Sequence, residues 1–318
     1  MSHDLFIESN VSLADKNWFA TGGAAEFFVE PKTIEQMHNA LLWAQSHKKG
    51  VTVLGKGANV LIADPGVSGL VIRPALRDII VEHESESTVL VTVGAGYDMG
   101  DFIEWSFNNG FIGLHEFSGI PSSVGGAVYI NLHFFQFLID QFIVKATLID
   151  TMGLIFVVDR EWFNFSYNYS KLHEKQQYVC TVTFRLKKAD SVTVAYERGR
   201  ADEIKRYRAY RYPSKNTCGS FFRNFLPSEV LLEVGGKKAI WVAYYLDQVG
   251  VKGSVSYGGA MVSHQHANMI VTDSSKNPKS HDIIECALEC QKRVFEKYGI
   301  IPKPECQLVG FKTSPLLE

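Results

Sequence analysis

Two glycine-rich stretches are the first places where this sequence could do chemistry. Gly55-Lys-Gly-Ala-Asn59 follows a short apolar run, and residues 113–131 contain four glycines, one proline and two adjacent serines. Glycine and proline disfavour a packed helix, whereas a loop of this composition can lay its backbone N–H groups against the oxygens of a diphosphate. Neither stretch has the spacing of a Walker loop or a Rossmann fingerprint, so a tight structural turn is the alternative for each.

Two polar side chains further along the chain could take part in proton transfer. Ser220 follows a glycine, and without a neighbouring base it would act as a proton donor rather than a nucleophile; a turn or capping serine is the alternative. Glu305 follows a proline near the C-terminus and is a candidate catalytic carboxylate, and a solvated surface carboxylate is the alternative. His264 and His266 have no third ligand nearby in the sequence, so they predict no metal site.

Composition narrows the class of protein. The chain has 318 residues, 46% hydrophobic and 21% charged, which is typical of a globular protein, and its net charge of −2 gives no argument for a nucleic-acid or membrane partner. The N-terminus lacks the pattern of a signal peptide, and polar residues interrupt the most apolar window, 130–149, so no membrane span is expected. Five cysteines without zinc spacing predict reduced thiols in the cytoplasm.

Hydrophobic periodicity predicts a chain that mixes helices and strands. The predicted helices lie near 33–48, 99–109, 197–211, 238–249 and 280–297. The predicted strands lie near 51–54, 60–62, 70–72, 79–81, 89–93, 144–150, 155–159, 178–186 and 268–271. The Tyr212-Pro213 pair ends the basic helix at 197–211, and a domain boundary is predicted there.

Taken together and in this order, the motifs resemble those of the UDP-N-acetylenolpyruvoylglucosamine reductases, flavoenzymes of peptidoglycan precursor synthesis. The resemblance covers about residues 10–312, and the spacing is similar to that of the shorter form of the family, which lacks an extra tyrosine-bearing loop. The segments that carry it are 17–23, 54–64, 119–127, Asn131, 165–170, 219–224, 250–253, 258–268 and 299–305.

The resemblance implies an α+β protein with an FAD-binding fold of the vanillyl-alcohol-oxidase (PCMH) type. Two FAD-binding subdomains, 1–70 and 71–212, would hold the cofactor between them, and a C-terminal α/β substrate-binding domain, 213–318, would close over the substrate. Binding would be non-covalent, since the 55–59 loop has no histidine. The cofactor-binding residues would be Gly55, Lys56, Gly57, Ala58, Asn59, Gly119, Ile120, Pro121, Ser122, Ser123, Gly125, Gly126 and Ala127.

The activity that the resemblance implies has two half-reactions. NADPH would reduce FAD, and the reduced flavin would convert UDP-N-acetylglucosamine enolpyruvate to UDP-N-acetylmuramate. Ser220 would protonate the resulting enol, and Glu305 would stabilise the developing charge. The UDP-sugar would be the only partner class of a monomeric, cytoplasmic enzyme. Its substrate-binding residues would be Tyr167, Lys215, Arg223 and Asn224.

The sequence departs from the family pattern at several positions. Asn168 stands where the family has an arginine that meets the reacting end of the substrate, so one neutral amide replaces a charged fork and a contact worth about 1.5–3 kcal/mol is lost. Leu132-His-Phe-Phe-Gln136 replaces Ala-Gly-Ala-Tyr-Gly, Ser122-Ser123 replaces Gly-Thr, and Ala58 replaces a serine. Two alternatives therefore stay open: an FAD-binding paralogue with weak or no turnover, and a flavoenzyme with a different substrate.

Overall fold

The computed structural model describes residues 6–317, and the chain forms two compact units. Unit 1 comprises Glu26–Lys56, Ser68–Arg208 and the described part of Met1–Val11. Unit 2 comprises Ser12–Ala25, Gly57–Val67 and Ala209–Glu318. Both units therefore take segments from the first seventy residues, and the division into 1–70, 71–212 and 213–318 stays a prediction.

Several helix ends carry recognisable capping residues. The Thr33 hydroxyl accepts a bond from the Gln36 amide at 3.1 Å, the Asp98 carboxylate caps the next helix, and Gly299 closes the last one at φ 69°. The five predicted helices are confirmed, and a short sixth, α3, was not predicted. Their bounds are α1 Ile34–Ser46, α2 Met99–Asn108, α3 Val124–Tyr129, α4 Ser191–Arg211, α5 Val242–Gln248 and α6 Ser280–Tyr298.

Nineteen strands lie among the described residues, and they include every predicted strand. In the N-terminal half these are β1 Glu8–Ser12, β2 Ala24–Val29, β3 Val51–Val53, β4 Val60–Ile62, β5 Val67–Ile72, β6 Ile79–Glu84, β7 Thr88–Gly94, β8 Phe111–Ile112, β9 His133–Phe134, β10 Phe137–Leu138 and β11 Ile143–Asp150. The remainder are β12 Ile155–Asp159, β13 Gln177–Lys188, β14 Glu233–Val234, β15 Lys237–Lys238, β16 Ser256–Tyr257, β17 Ala260–Val262, β18 Ile270–Thr272 and β19 Gln307–Val309.

Unit 1 is built on a largely antiparallel sheet in the order β12-β11-β13-β7-β6, with β8 also paired to β13. Alternating residues of β7, among them Val91, are buried against Phe102 of α2 and Phe184 of β13. A smaller sheet, β1-β2-β5-β3, packs against the apolar side of α1. The second glycine-rich loop leads into α3, which packs against the interior strands β13 and β7 of the larger sheet.

Unit 2 has its own core. The sheet β16-β17-β18 packs on α6, and β19 runs parallel to β4, which places the residues before β19 beside the end of the 55–59 loop. All five cysteines of the chain are free and buried. Among residues 6–317, no group of three histidine, cysteine, aspartate or glutamate side chains could hold a metal ion. No helix in that same range combines the length and apolarity needed to span a membrane.

Candidate functional site

The two glycine-rich loops meet within unit 1 at Gly55. A Cβ atom added to Gly55 would lie 2.8 Å from Oγ of Ser123 and 3.8 Å from Cα of Gly126. The first distance is shorter than van der Waals contact, so a side chain at position 55 would force the Ser123 hydroxyl to move. The structure thus brings together three of the residues that the sequence predicts to bind the cofactor.

An ion pair fixes the start of the first loop. The Lys56 ammonium contacts the Asp98 carboxylate, which also accepts a bond from the Gly100 amide at 2.8 Å at the start of α2. Asp98 pairs with Ser123 in a short antiparallel bridge. The charge of Lys56 is therefore compensated inside the protein, and this lysine holds the loop in place.

The second loop uses several of its amides internally. Gly125 donates to the Ala95 carbonyl at 2.8 Å, and Gly126 donates to Oγ of Ser123 at 3.2 Å, which caps α3. No acceptor for the amides of Ser122 and Ser123 occurs among residues 6–317. The Gly119 amide also finds no acceptor in that range, so the unpaired amides of residues 119–127 are those of Gly119, Ser122 and Ser123, whereas the amides of Gly125 and Gly126 are used within the loop.

The first loop has more donors to offer. It runs from unit 1 into unit 2, and in the described part of the chain its five amides, 55–59, find no acceptor. Asn59 has a buried Oδ1 atom without a hydrogen-bond partner in that part of the chain. Buried polar atoms are normally satisfied, so these orphaned groups fit a cofactor with a diphosphate and with hydroxyl or N–H donors, as FAD has.

Ser220 and Glu305 lie on neighbouring backbone segments of unit 2. The Phe221 carbonyl accepts bonds from the amides of Glu305 at 2.8 Å and Cys306 at 3.2 Å. Phe222 and Pro304 form an antiparallel bridge in the same place. Both predicted proton-transfer residues are only partly buried. The structure therefore brings together two backbone segments that are far apart in the sequence, one carrying Ser220 and the other Glu305.

The Ser220 segment is positioned by an asparagine to which sequence reasoning gave no role. Asn268 is 4% exposed; its Nδ2 donates to the Phe222 carbonyl at 2.7 Å, and its Oδ1 accepts from the Phe222 amide at 3.0 Å. Its carbonyl also accepts from the Phe221 amide at 2.8 Å. Both polar atoms of the Asn268 side chain are thus bonded to the backbone of Phe222, in the way that two paired strand residues bond to each other. Its place in the 258–268 motif was the available signal.

Two predicted substrate-binding residues have structural partners. The Arg223 guanidinium makes two bonds with the Glu229 carboxylate, at 2.7 and 2.8 Å, and these bonds lower the pKa of Glu229 to about 2. Oδ1 of Asn224 accepts from the Val242 amide at 3.2 Å, where α5 begins. Lys215 is exposed. Binding of a UDP-sugar by these residues stays a prediction.

Tyr167 and Asn168 form the tip of a tight turn in unit 1. Ser166 and Tyr169 exchange backbone bonds of 3.1 and 3.2 Å around them. Asn168 has φ 55°, in the left-handed region that asparagine tolerates better than most side chains. The backbone thus gives an independent reason for asparagine here. The Tyr167 ring is 39% exposed and lies 4.9 Å, centroid to centroid, from the His133 ring.

Comparisons with known proteins agree with this arrangement. The FAD binding domain family matches residues 25–159, and the family "UDP-N-acetylenolpyruvoylglucosamine reductase, C-terminal domain" matches residues 211–309. The FAD-binding domain and the α+β class are thereby confirmed.

Full-length relatives carry the same name. The UDP-N-acetylenolpyruvoylglucosamine reductase of Nostoc sp. is 33% identical, over 96% of this chain and 86% of the relative. That of Anoxybacillus flavithermus is 30% identical, over 96% and 95%. The crystal structure of UDP-N-acetylenolpyruvylglucosamine reductase (MurB) from Thermus caldophilus superposes with a TM-score of 0.76 at 25% identity, covering 96% of this chain and all of that one. This chain therefore belongs to the UDP-N-acetylenolpyruvoylglucosamine reductase family of oxidoreductases.

Proposed function

We propose that this chain reduces UDP-N-acetylglucosamine enolpyruvate to UDP-N-acetylmuramate, with NADPH as the electron donor, in peptidoglycan precursor synthesis. The observation that carries the proposal is the placement of Ser220 and Glu305 on paired segments of unit 2, within the range that matches the reductase C-terminal domain. The names of the full-length relatives support the same substrate.

FAD, when bound, supplies the hydride chemistry that links NADPH to the enolpyruvyl double bond. We assign its diphosphate to the unpaired amides of the two glycine-rich loops, chiefly Gly55, Ser122 and Ser123 in unit 1. Asn59 offers its orphaned Oδ1 to a cofactor hydroxyl or N–H group. The other residues predicted for cofactor binding, Lys56 and Gly126 among them, would hold these donors in position.

Ser220 completes the reduction by donating a proton. A hydride added to one carbon of the enolpyruvyl double bond leaves negative charge on the other carbon. The Ser220 hydroxyl then donates its proton to that second carbon. Solvent then restores the serine proton. Glu305 lies on the adjoining segment, where a carboxyl group can share a proton with the developing enol. General acid catalysis of this kind typically contributes about 10²–10⁴-fold in rate.

Substrate contacts are divided between direct and supporting residues. We propose that Tyr167 and Lys215, both exposed, contact the substrate directly. Arg223 and Asn224 would act by holding the loop that follows Ser220, since their polar groups bond to Glu229 and α5. We further propose that the enzyme is a cytoplasmic monomer; its five free cysteines suit a reducing compartment.

Anaerobic half-reactions test the proposal. The purified protein should show the visible spectrum of a flavin, released into the supernatant by acid precipitation. NADPH should bleach this spectrum, and UDP-N-acetylglucosamine enolpyruvate should restore it. A colourless protein that does not bind added FAD would contradict the cofactor assignment. Parallel reduction with NADH measures the donor preference.

A second candidate function follows from Asn168. Asn168 stands where the family pattern has an arginine that meets the substrate, and its left-handed backbone at φ 55° suits asparagine. A paralogue with an altered substrate would be bleached by NADPH and would stay bleached on addition of the enolpyruvyl sugar. The second half-reaction alone therefore separates this candidate from the reductase.

A further inference from the structure

Two cysteine thiols of unit 2 meet between the segments that carry Ser220 and Glu305. The side chains of Cys218 and Cys306 are hydrogen-bonded to each other. Cys218 lies two residues before Ser220, and Cys306 directly follows Glu305. Both cysteines belong to the core of unit 2, with exposed fractions of 7% and 2%. The fold therefore joins the two candidate proton-transfer segments through a pair of sulfur atoms.

Backbone pairing holds the two thiols in contact. The Phe221 carbonyl accepts a bond from the Cys306 amide at 3.2 Å, and Phe222 and Pro304 form an antiparallel bridge one step further along. Because the backbones are paired here, the two segments cannot drift apart without breaking these bonds. Two cysteines that the fold holds side by side are the starting arrangement for a disulfide.

We propose that Cys218 and Cys306 are a modification site, at which a hydroperoxide such as hydrogen peroxide forms a reversible disulfide. The Cys218 thiolate attacks one peroxide oxygen, the O–O bond breaks, and a sulfenic acid and one water form. Cys306 then loses its proton and attacks the Cys218 sulfur, and the displaced hydroxide takes up that proton and leaves as a second water. Two thiols are oxidised and one peroxide is reduced, which gives one disulfide and two waters.

The surroundings assign the first step to Cys218. Residues 212–220 form no helix or strand, and a Cβ atom added to Gly219 would meet nothing within 4 Å, so open space adjoins the turn after Cys218. Segments of this kind open locally at low cost, and opening admits a small oxidant to the sulfur. Cys306 needs no such access, because it reacts with a sulfur atom that it already contacts.

Burial makes the reaction slow. Burial, followed by the contact with Cys218, holds the pKa of Cys306 well above its usual range. Since the thiolate is the attacking form, little of Cys306 is ready to close the bond at any moment. Under reducing conditions the pair is therefore a dithiol, and the disulfide accumulates only while peroxide persists.

The disulfide should change the second half-reaction and spare the first. This consequence rests on the proposed function. Bond formation draws the two sulfurs from contact to covalent distance, and the movement passes to the segments that carry Ser220 and Glu305. A displacement of about 1 Å can cost about 100-fold in rate. Reoxidation of the flavin by the enolpyruvyl sugar should therefore slow by about tenfold or more. Reduction by NADPH needs no proton from Ser220, so its rate should stay within about twofold.

Peroxide treatment of the holoenzyme tests the proposal. Hydrogen peroxide is added and then removed with catalase, the remaining thiols are alkylated in denaturant, and unreduced peptides are mapped by mass spectrometry. The parent should show a peptide pair that joins positions 218 and 306, and dithiothreitol should separate the pair and restore the rate of reoxidation. Cys306→Ala should show no such link. The matched control is Cys180→Ala, since Cys180 is the one cysteine in unit 1, and this variant should form the link as the parent does.

The peptide map and the half-reactions separate this inference from the proposed function. Absence of a 218–306 link in the folded parent, or a link confined to Cys286 and Cys290 of α6, would overturn the inference whatever the turnover. A 218–306 link with an unchanged rate of reoxidation would overturn the effect on catalysis. A 218–306 link in a parent that the enolpyruvyl sugar never reoxidises would support the modification site and contradict the proposed function.

Discussion

Replacing Gly55 by alanine should weaken FAD binding through a single displaced hydroxyl. The new Cβ would lie 2.8 Å from Oγ of Ser123, so that hydroxyl must rotate away. The same oxygen caps α3 by accepting from the Gly126 amide at 3.2 Å. Loss of a serine N-cap costs about 0.5–2 kcal/mol, typically about 1 kcal/mol. If this loss of about 1 kcal/mol destabilises the FAD complex more than the apoprotein, Kd for FAD becomes roughly fivefold weaker.

A double-mutant cycle tests this account of Gly55→Ala. Ser123→Ala removes the cap and also the atom that the new methyl group would meet. The double variant should therefore bind FAD no more weakly than Ser123→Ala alone, because the clash has disappeared. Quenching of flavin fluorescence on titration of apoprotein measures Kd, and urea unfolding measures the remaining cost in stability. Additive losses in the double variant would refute the reasoning, since they would mean that position 55 acts by another route.

Three further predictions address the proton donor, the turn and the ion pair. Ser220→Ala should slow substrate-dependent reoxidation of the flavin by about 10²–10⁴-fold and leave its reduction by NADPH nearly unchanged. Glu305→Gln should show the same selectivity more mildly. Stopped-flow absorbance measures both steps, and equal slowing of the two would indicate damaged architecture. Asn168→Arg should lower the free energy of unfolding by about 1 kcal/mol because of the left-handed backbone, whereas Asn168→Gly should not. The lowered pKa of Glu229 means that its bonds with Arg223 stabilise the protein above pH 4.5 and are lost as the pH falls toward about 2. The free energy of unfolding of Glu229→Gln should therefore fall less steeply than that of the parent over this pH range. Urea unfolding at each pH measures it.

Long periodic elements could be predicted from the sequence, and a helix containing two glycines could not. β13 and α6 differ from their predicted bounds by two residues or fewer, because many apolar positions define each period. α3 was read only as part of a loop, because Gly125 and Gly126 lower helix propensity. The structure shows the tertiary reason: a Cβ on Gly125 would lie 3.1 Å from the Ala95 Cβ, so close packing favours glycine inside the helix.

Residue types in the candidate site could be predicted, but their partners could not. Motifs identify Ser220 and Glu305, whereas the adjacency of their segments depends on a strand-like pairing between distant parts of the chain that no local pattern records. Arg223 shows the same limit. A cation near Ser220 suggests an anionic ligand, and the structure adds a partner that the sequence does not reveal, because its guanidinium bonds to Glu229, a few residues further along a loop. Loop conformation decides such pairings, and sequence spacing does not reveal it.

The two departures from the family pattern in unit 1 belong to one place in the structure. In the sequence, Asn168 replaces a charged arginine of the family pattern, and the residues after Asn131 are bulkier than those of that pattern. In the structure His133 lies against the turn that carries Asn168, because its ring is 4.9 Å from that of Tyr167. The same turn holds Asn168 at φ 55°, a backbone conformation that asparagine adopts more readily than arginine. The two departures therefore belong to one turn and one neighbouring hairpin, and an arginine restored at position 168 alone would meet a backbone that disfavours it.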